Sequence, residues 1–253
     1  MSGHSKWSTI KRKKGALDAK RGKLFTRLGR ELTIAAREGG GNPEANTRLR
    51  LAIAKAKAAN MPKENIDRAI ARGTGGGDDG ALMMEEVTYE GYGPHGVAIL
   101  IDVLTDNRNR TISAIRTLFN RANGSLAEAN AVTWQFERKG YIEISAEGVD
   151  PDQLLLDAAD AGADDVVTGE ETHIVYTPRE SLAAVESKLS EAGYKITDSS
   201  LSWIAKNEIE LGLEESMQVT SLLEKLEELD DVQSVASNLS ISDEVAAAMA
   251  KAS

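Results

Sequence analysis

Cysteine is absent from the 253-residue chain, and aromatic residues make up only 4% of it. The first absence excludes disulfides and thiolate metal sites and is typical of a reducing cytosol. The second means that Leu, Ile, Val and Ala must fill the cores. No apolar run approaches the roughly 20 residues that a membrane-spanning helix needs, and no apolar segment of a secretory signal follows the basic N-terminus. We therefore expect a cytoplasmic protein with no membrane partner.

Catalytic motifs are also missing. The three histidines, His4, His95 and His173, lie far apart in the sequence and form no HExxH pattern, which argues against zinc catalysis. GHSKW (residues 3–7) is only superficially like the GxSxG turn of hydrolases, because its fifth residue is Trp7 and no strand–turn–helix pattern surrounds it.

Two further patterns are better explained without chemistry. GTGGGDDG (residues 73–80) lacks the GK[ST] of a phosphate-binding loop, so we interpret it as a linker. Adjacent acids are interpreted as solvated surface; they are Asp78–Asp79, Asp164–Asp165, Glu170–Glu171 and Asp230–Asp231. We predict no catalytic residue, no metal site and no cofactor.

What the chain does have is an uneven charge distribution. Residues 1–73 hold 18 Lys/Arg and 6 Asp/Glu, a net charge of +12, whereas residues 74–253 hold 12 and 34, a net charge of −22. A split of this size predicts that the basic third binds a polyanion and that the acidic remainder avoids one or contacts a basic protein. The alternative is that the basic residues only keep a helical domain in solution.

The basic third is predicted to be helical after a flexible arm. A helix is expected from Gly15 to about Arg37, with apolar residues at helical spacing. The apolar stripe is Leu17, Leu24, Leu28, Leu32 and Ala35. A cationic stripe on the opposite face is Lys20, Lys23, Arg27, Arg30 and Arg37. Asn42 is predicted to cap a second helix that runs to about Asn60, and Pro62 is predicted to open a third, ended by Gly73.

Beyond residue 80 the periodicity alternates between strands and short helices. Hairpins are predicted at residues 86–104, 131–145 and 165–177, and the C-terminal DEVAAAMAKAS is predicted to be a frayed helix. Such a pattern indicates an α+β fold with three domains, an N-terminal helical domain followed by two α/β sandwich domains with mainly antiparallel sheets.

Two groups of residues are candidates for binding. The first is the basic arm and helix, whose cations would neutralise phosphates. Its members are His4, Lys6, Trp7, Lys11, Arg12, Lys13, Lys14, Lys20, Arg21, Lys23, Arg27 and Arg30. His4 and Trp7 could stack on unpaired bases, although Trp7 could equally anchor the arm on the helices.

The second group lies in TDNRNRT (residues 105–111). Arg108 and Arg110, with Arg116 and Arg121 further along, are four of only 12 cations after residue 73. Exposed Arg in an acidic domain can bind phosphate or carboxylate. Internal salt bridges to the many acids of that domain are the alternative, and the one that the residues favour.

Long stretches of the chain closely resemble the YebC/PmpR family. They include GHSKW, DAKRGKLFTRLGREL (residues 18–32), YEGYGPHGVAILID (residues 89–102), LTDNRNRT (residues 104–111) and LEELDDVQSVASN (residues 226–238). The resemblance covers nearly the whole chain. One departure is Ala205, where the family has Pro after Trp-Ile, and it affects only a turn.

The resemblance implies a discontinuous middle domain with a third domain inserted in it. On this basis we expect a basic domain at 1–75, a linker at 76–85, a middle domain at 86–128 and 203–240, an inserted domain at 129–202 and a tail at 241–253. Since the sequence begins almost at GHSKW, the resemblance also implies a bacterial, cytosolic member.

Family members are described either as probable transcriptional regulators that bind promoter DNA or as translation factors that act on the ribosome. We therefore predict a non-enzymatic nucleic-acid-binding regulator of gene expression, with promoter DNA or ribosomal RNA as partner. Basic ribosomal proteins are a further candidate for the acidic domains. A protein-only scaffold, in which the basic third docks on an acidic partner, is the third hypothesis.

Overall fold

The computed structural model describes residues 18–75 and 84–251, and its first part is a bundle of three helices. They are α1 (Asp18–Gly39), α2 (Thr47–Ala58) and α3 (Lys63–Gly73). Leu32, Leu49 and Ile66, one from each helix, are buried in a shared core. In the predicted apolar stripe of α1, Leu32 and Ala35 are fully buried and Leu28 is partly buried, but Leu24 is 42% exposed, so the stripe packs only in its later turns.

The start of α2 differs from the prediction. The cap is Asn46, whose Oδ1 accepts from Leu49 N at 3.0 Å, whereas Asn42 lies in the preceding turn and accepts from Glu44 N. The Nδ2 of Asn46 also donates to the carbonyls of Ala35 and Gly40, at 2.6 and 2.9 Å. Asn46 is therefore buried, and it ties α2 to the end of α1.

A four-stranded antiparallel sheet follows, in the order β3-β1-β2-β8. Its strands are β1 (Glu85–Tyr92), β2 (Ala98–Thr105), β3 (Ser125–Leu126) and β8 (Val232–Ser237). Helices α4 (Arg108–Arg121) and α7 (Leu213–Glu227) cover one face, where Ile101, Phe119 and Leu222 are buried. The predicted hairpin at 86–104 is confirmed, and α4 is capped by Asn107, whose Oδ1 accepts from Arg110 N at 3.1 Å.

The second sheet is also antiparallel, in the order β5-β6-β4-β7. It consists of β4 (Phe136–Ser145), β5 (Asp165–Val167), β6 (Thr172–Pro178) and β7 (Ile196–Ala205), with α5 (Pro151–Ala161) and α6 (Leu182–Glu191) on one face. The hairpin predicted at 131–145 is wrong. Thr133–Gln135 form a single 3₁₀ turn and β4 continues through Gly140 without reversing, because both of its neighbours come from later in the chain.

The two sheets meet at a buried junction. Leu100 of β2 packs with Val132 and Phe136 on the face of the first sheet opposite to its helices. Asp102 accepts from Arg138 Nη1 at 3.0 Å and from Trp203 Nε1 at 3.1 Å, so one carboxylate joins β2 to both β4 and β7. The guanidinium of Arg138 also lies over the Trp203 ring, 4.9 Å from its centroid.

The chain order of the strands bears on the domain boundaries. The first sheet combines strands from before and after the segment that forms the second sheet, as the α+β prediction allows. Strand β7 of the second sheet runs to Ala205, past the expected boundary at 203, and β1 begins at Glu85, inside the expected linker. The helix predicted in the C-terminal stretch is present as α8 (Asp243–Lys251), and it is packed on the first core, where Ile241 and Val245 are buried.

Candidate nucleic-acid interface

Half of the predicted binding residues lie outside the described residues. These are His4, Lys6, Trp7, Lys11, Arg12, Lys13 and Lys14. Lys20, Arg21 and Lys23 lie in α1, with side chains outside the description. The structure therefore positions four side chains of the predicted set: Arg27, Arg30, Arg108 and Arg110.

Arg27 and Arg30 are turned towards the first sheet and not towards solvent. Arg27 Nη2 donates to the carbonyl oxygen of Gln233, and Arg30 Nη1 bonds the carboxylate of Asp231 at 2.9 Å. Arg30 also donates to the carbonyl of Asp230, and Ile34, one turn further along α1, is fully buried. This part of the cationic stripe is thus a contact between the helical bundle and residues 230–233, which are the end of the loop before β8 and the first residues of that strand.

Asp231 is the centre of that contact. Its Oδ2 accepts from Thr111 Oγ1 at 2.6 Å and from Arg110 Nη2 at 2.9 Å, while Arg30 bonds its Oδ1. Burial raises the pKa of this carboxyl, but the hydrogen bonds from Thr111 and Arg110 and the charge of Arg30 outweigh burial, so its pKa lies below the ordinary value. The interpretation of Asp231 as solvated surface is wrong, since only 7% of the residue is exposed.

The TDNRNRT segment builds the pocket for Asp231. Arg110 bridges Asp106 and Asp231, and these carboxylates raise its pKa further. Arg108 pairs with Glu85 at 3.0 Å on the surface. The internal salt bridges that the sequence favoured for Arg108 and Arg110 are therefore present.

Two cations that the sequence did not single out also join the parts of the molecule. Arg48 bonds the carboxylates of Glu31, Glu38 and Glu86, which links α1 and α2 to β1. Burial would lower its pKa, yet the bonds to Glu31 and Glu86 raise it above the ordinary value. Lys55 of α2 pairs with Asp198 of β7 at 3.2 Å. The sequence can suggest an ion pair within a helix only when the carboxylate lies three or four positions from the cation. The partners of Arg48 and Lys55 are further away along the chain, so these ion pairs could not be predicted.

Other cations of the bundle face solvent. Five of them are exposed and form no side-chain hydrogen bond or ion pair within the described ranges; they are Arg50, Lys57, Lys63, Arg68 and Arg72. Arg50 and Lys57 are seven positions apart and share one face of α2. This spacing could have predicted a cationic face on α2 from the sequence. The pattern was obscured because Arg48 and Lys55 lie on the other side of the helix.

The acidic part offers no grouped catalytic side chains among residues 84–251. His173 is buried, which lowers its pKa, and its Nδ1 accepts from Gly169 N at 3.3 Å. No three His, Asp or Glu side chains of the described ranges are placed to hold a metal ion. Within the same ranges, no helix has the length and apolar character required to cross a bilayer.

The fold and the charge distribution define an α+β protein in which a cationic three-helix bundle precedes two antiparallel sheets. Comparison with known proteins gives the family. The model of the TACO1/YebC N-terminal domain matches residues 5–76, and that of the TACO1/YebC second and third domain matches residues 84–239. The chain belongs to the TACO1/YebC family, so the resemblance to YebC/PmpR proteins is confirmed.

Individual relatives match over almost their full lengths. A probable transcriptional regulatory protein of Herpetosiphon aurantiacus is 54% identical over 247 residues, 97% of each chain. A protein of the same name from Dictyoglomus turgidum is 52% identical over 246 residues, 97% of this chain and 98% of its own. The crystal structure of a conserved hypothetical protein from Aquifex aeolicus superposes with a TM-score of 0.84 at 47% identity, covering 90% of this chain and 93% of that one.

Proposed function

We propose that this protein is a non-enzymatic regulator of gene expression that binds DNA through its N-terminal third. The observation that carries the proposal is the separation of charge, +12 in residues 1–73 and −22 in the remainder. The names of the relatives, probable transcriptional regulatory proteins, support the same reading. The acidic sheets would be repelled by a phosphate backbone, so binding would orient the molecule with its bundle towards the DNA.

The proposed contacts are of two kinds. The arm residues His4 to Lys14 and the cations at the start of α1 would track phosphates, as their density of charge predicts. Arg50 and Lys57 on the outer face of α2 extend this surface, because both are exposed and bond no carboxylate of residues 18–75 or 84–251. Arg108 and Arg110 are not included, since carboxylates already neutralise them.

Salt dependence tests the proposal. If about six phosphates of B-form DNA are neutralised, the logarithm of the binding constant should fall with the logarithm of the salt concentration at a slope near −5. Replacing both Arg50 and Lys57 by Glu should weaken binding and reduce the slope by about two. Arg121→Glu is the matched control, because Arg121 is an exposed helical cation on the acidic part. A flat salt dependence would favour the protein-only scaffold.

Ribosomal RNA is the second candidate target. The observation that favours it is the direction of Arg27 and Arg30, which point into the molecule. A helix that reads bases would need such side chains exposed towards the major groove, whereas structured RNA is recognised largely by shape and backbone.

Sedimentation with ribosomes separates the two targets. Protein that sediments with ribosomes after DNase treatment, and is lost when Lys13 and Lys20 are both changed to Glu, would support a role in translation. Protection of one promoter sequence from nuclease digestion would support transcription.

A further inference from the structure

We propose that the contact of Arg27 and Arg30 with residues 230–233, the loop before β8 together with the first residues of that strand, is an autoinhibitory latch. A phosphodiester backbone would open it by competing for the two arginines. The inference rests on the proposed function, because it concerns how the same cationic surface is regulated. In the closed form that the structure shows, these two members of the cationic stripe are withheld from an external polyanion.

The geometry excludes simultaneous occupation. The side chain of Arg30 is 18% exposed and that of Asp231 is 9% exposed, so no phosphate can approach the guanidinium from the side of its carboxylate. Arg27 is partly buried, and its pKa is lowered by this burial, with the charge of Glu227 acting in the opposite direction. A phosphate that reached either arginine would also meet the negative charges of Asp230 and Asp231, so α1 must separate from the loop first.

The loop side of the latch is built to stay in place when α1 leaves. Asp231 keeps its bonds to Thr111 Oγ1 and Arg110 Nη2, and its backbone oxygen accepts from Leu104 N at 2.8 Å. Its carboxylate therefore remains paired in the open form. Arg27 and Arg30 lose the partners described above and gain from phosphates, which are charge-assisted acceptors suited to guanidinium groups.

A latch of this kind lowers the apparent affinity for nucleic acid by the fraction of molecules that are open. If about one molecule in ten is open, weakening the latch should tighten binding about tenfold. The complex makes the same phosphate contacts in both cases, so the tighter binding should come without a change in the salt slope on duplex DNA.

The first experiment compares Asp231→Asn with Asp230→Asn. Each change removes one negative charge from the same loop, but the side chain of Asp230 is exposed and only its backbone carbonyl contacts Arg30. Binding is measured against a 20-base-pair duplex DNA and against a structured RNA of equal length, so that the source of the phosphodiester is identified. We expect Asp231→Asn to bind about tenfold more tightly than Asp230→Asn to whichever polymer is the ligand.

The second experiment does not depend on the folding of the Asp231 variant. Because the chain has no cysteine, spin labels can be placed only at introduced residues, here Ala58→Cys on α2 and Asn120→Cys on α4, both exposed positions. The distance between the labels should lengthen when saturating duplex or RNA is added, and also in Arg30→Gln without any ligand.

The outcomes are distinguishable. Binding with equal affinities for the two Asp variants and a label distance that ligand does not alter would overturn the latch and leave the proposed function standing. No binding of either polymer by any variant at low salt would overturn both.

Discussion

Replacing Asn46 with Ala should strongly destabilise the helical bundle. Asn46 is 6% exposed, and it makes three hydrogen bonds: its Oδ1 caps α2 at Leu49 N, and its Nδ2 donates to Ala35 O and Gly40 O. Alanine can make none of them.

The magnitude follows from two costs. Loss of the cap is worth about 1 kcal/mol, with a range of roughly 0.5–2. Leaving the buried carbonyl of Ala35 without a donor adds about 1–3 kcal/mol. The expected loss is about 2–4 kcal/mol, which is a large part of the roughly 5–15 kcal/mol by which a typical domain is stable.

Hydrogen exchange is the appropriate assay, because a molecule with several cores does not unfold in one step. Amides of residues 47–58 should exchange roughly 30-fold faster or more in Asn46→Ala, whereas those of β4 and β6 should be unaffected. Asn42→Ala is the control, since Asn42 is exposed and its side chain bonds only Glu44 N. Equal effects of the two variants would refute the assignment of Asn46 as the cap.

Two further predictions concern buried carboxylates. Glu90→Gln should speed hydrogen exchange at residues 130–133 about 100-fold. The Glu90 carboxylate accepts from the backbone amides of Asn130, Val132 and Thr133 at 2.7–2.9 Å, and hydrogen bonds to a charged group are each worth roughly 1.5–3 kcal/mol. Unchanged exchange at these residues would contradict the prediction. The second prediction is that Asp231, whose pKa is lowered in the folded state, contributes stability that is fully present above the unfolded pKa of about 3.9 and is lost as pH falls through the folded value. Acid unfolding followed by circular dichroism should therefore be less steep in Asp231→Asn, and identical acid transitions in the two proteins would count against this role.

Local signals in the sequence were sufficient for most elements. The hairpin predicted at 86–104 is present, and it turns at Gly-Pro-His-Gly (93–96), where His95 and Gly96 have φ of 60° and 76°. The α+β class followed from the alternation of strands and short helices. The hairpin prediction for residues 131–145 was wrong because alternation identifies strand residues but not the point where a strand reverses. Here the strand does not reverse, since both of its partners are strands from later in the chain.

The candidate site was less accessible to sequence reasoning. Helical spacing placed Arg27 and Arg30 on the face opposite to the apolar stripe, which is correct for an isolated helix. It could not show that this face meets Asp231, which lies about 200 residues further along the chain. Polar helix faces that pack on another domain through ion pairs have the same pattern as faces in solvent, so burial of charge at such contacts has no local signature.

The pairing of β2 with β8 has a consequence for the nascent chain. Ile99 pairs with Ser237, and Leu100 with Ala236, so β2 lacks one neighbour until translation has passed residue 237. During that interval the strand AILIDVLT presents an unsatisfied, strongly apolar edge, the kind that templates intermolecular association. The second sheet, complete by residue 205, can fold earlier and cover the Leu100 side of this strand, which would shorten the period of risk.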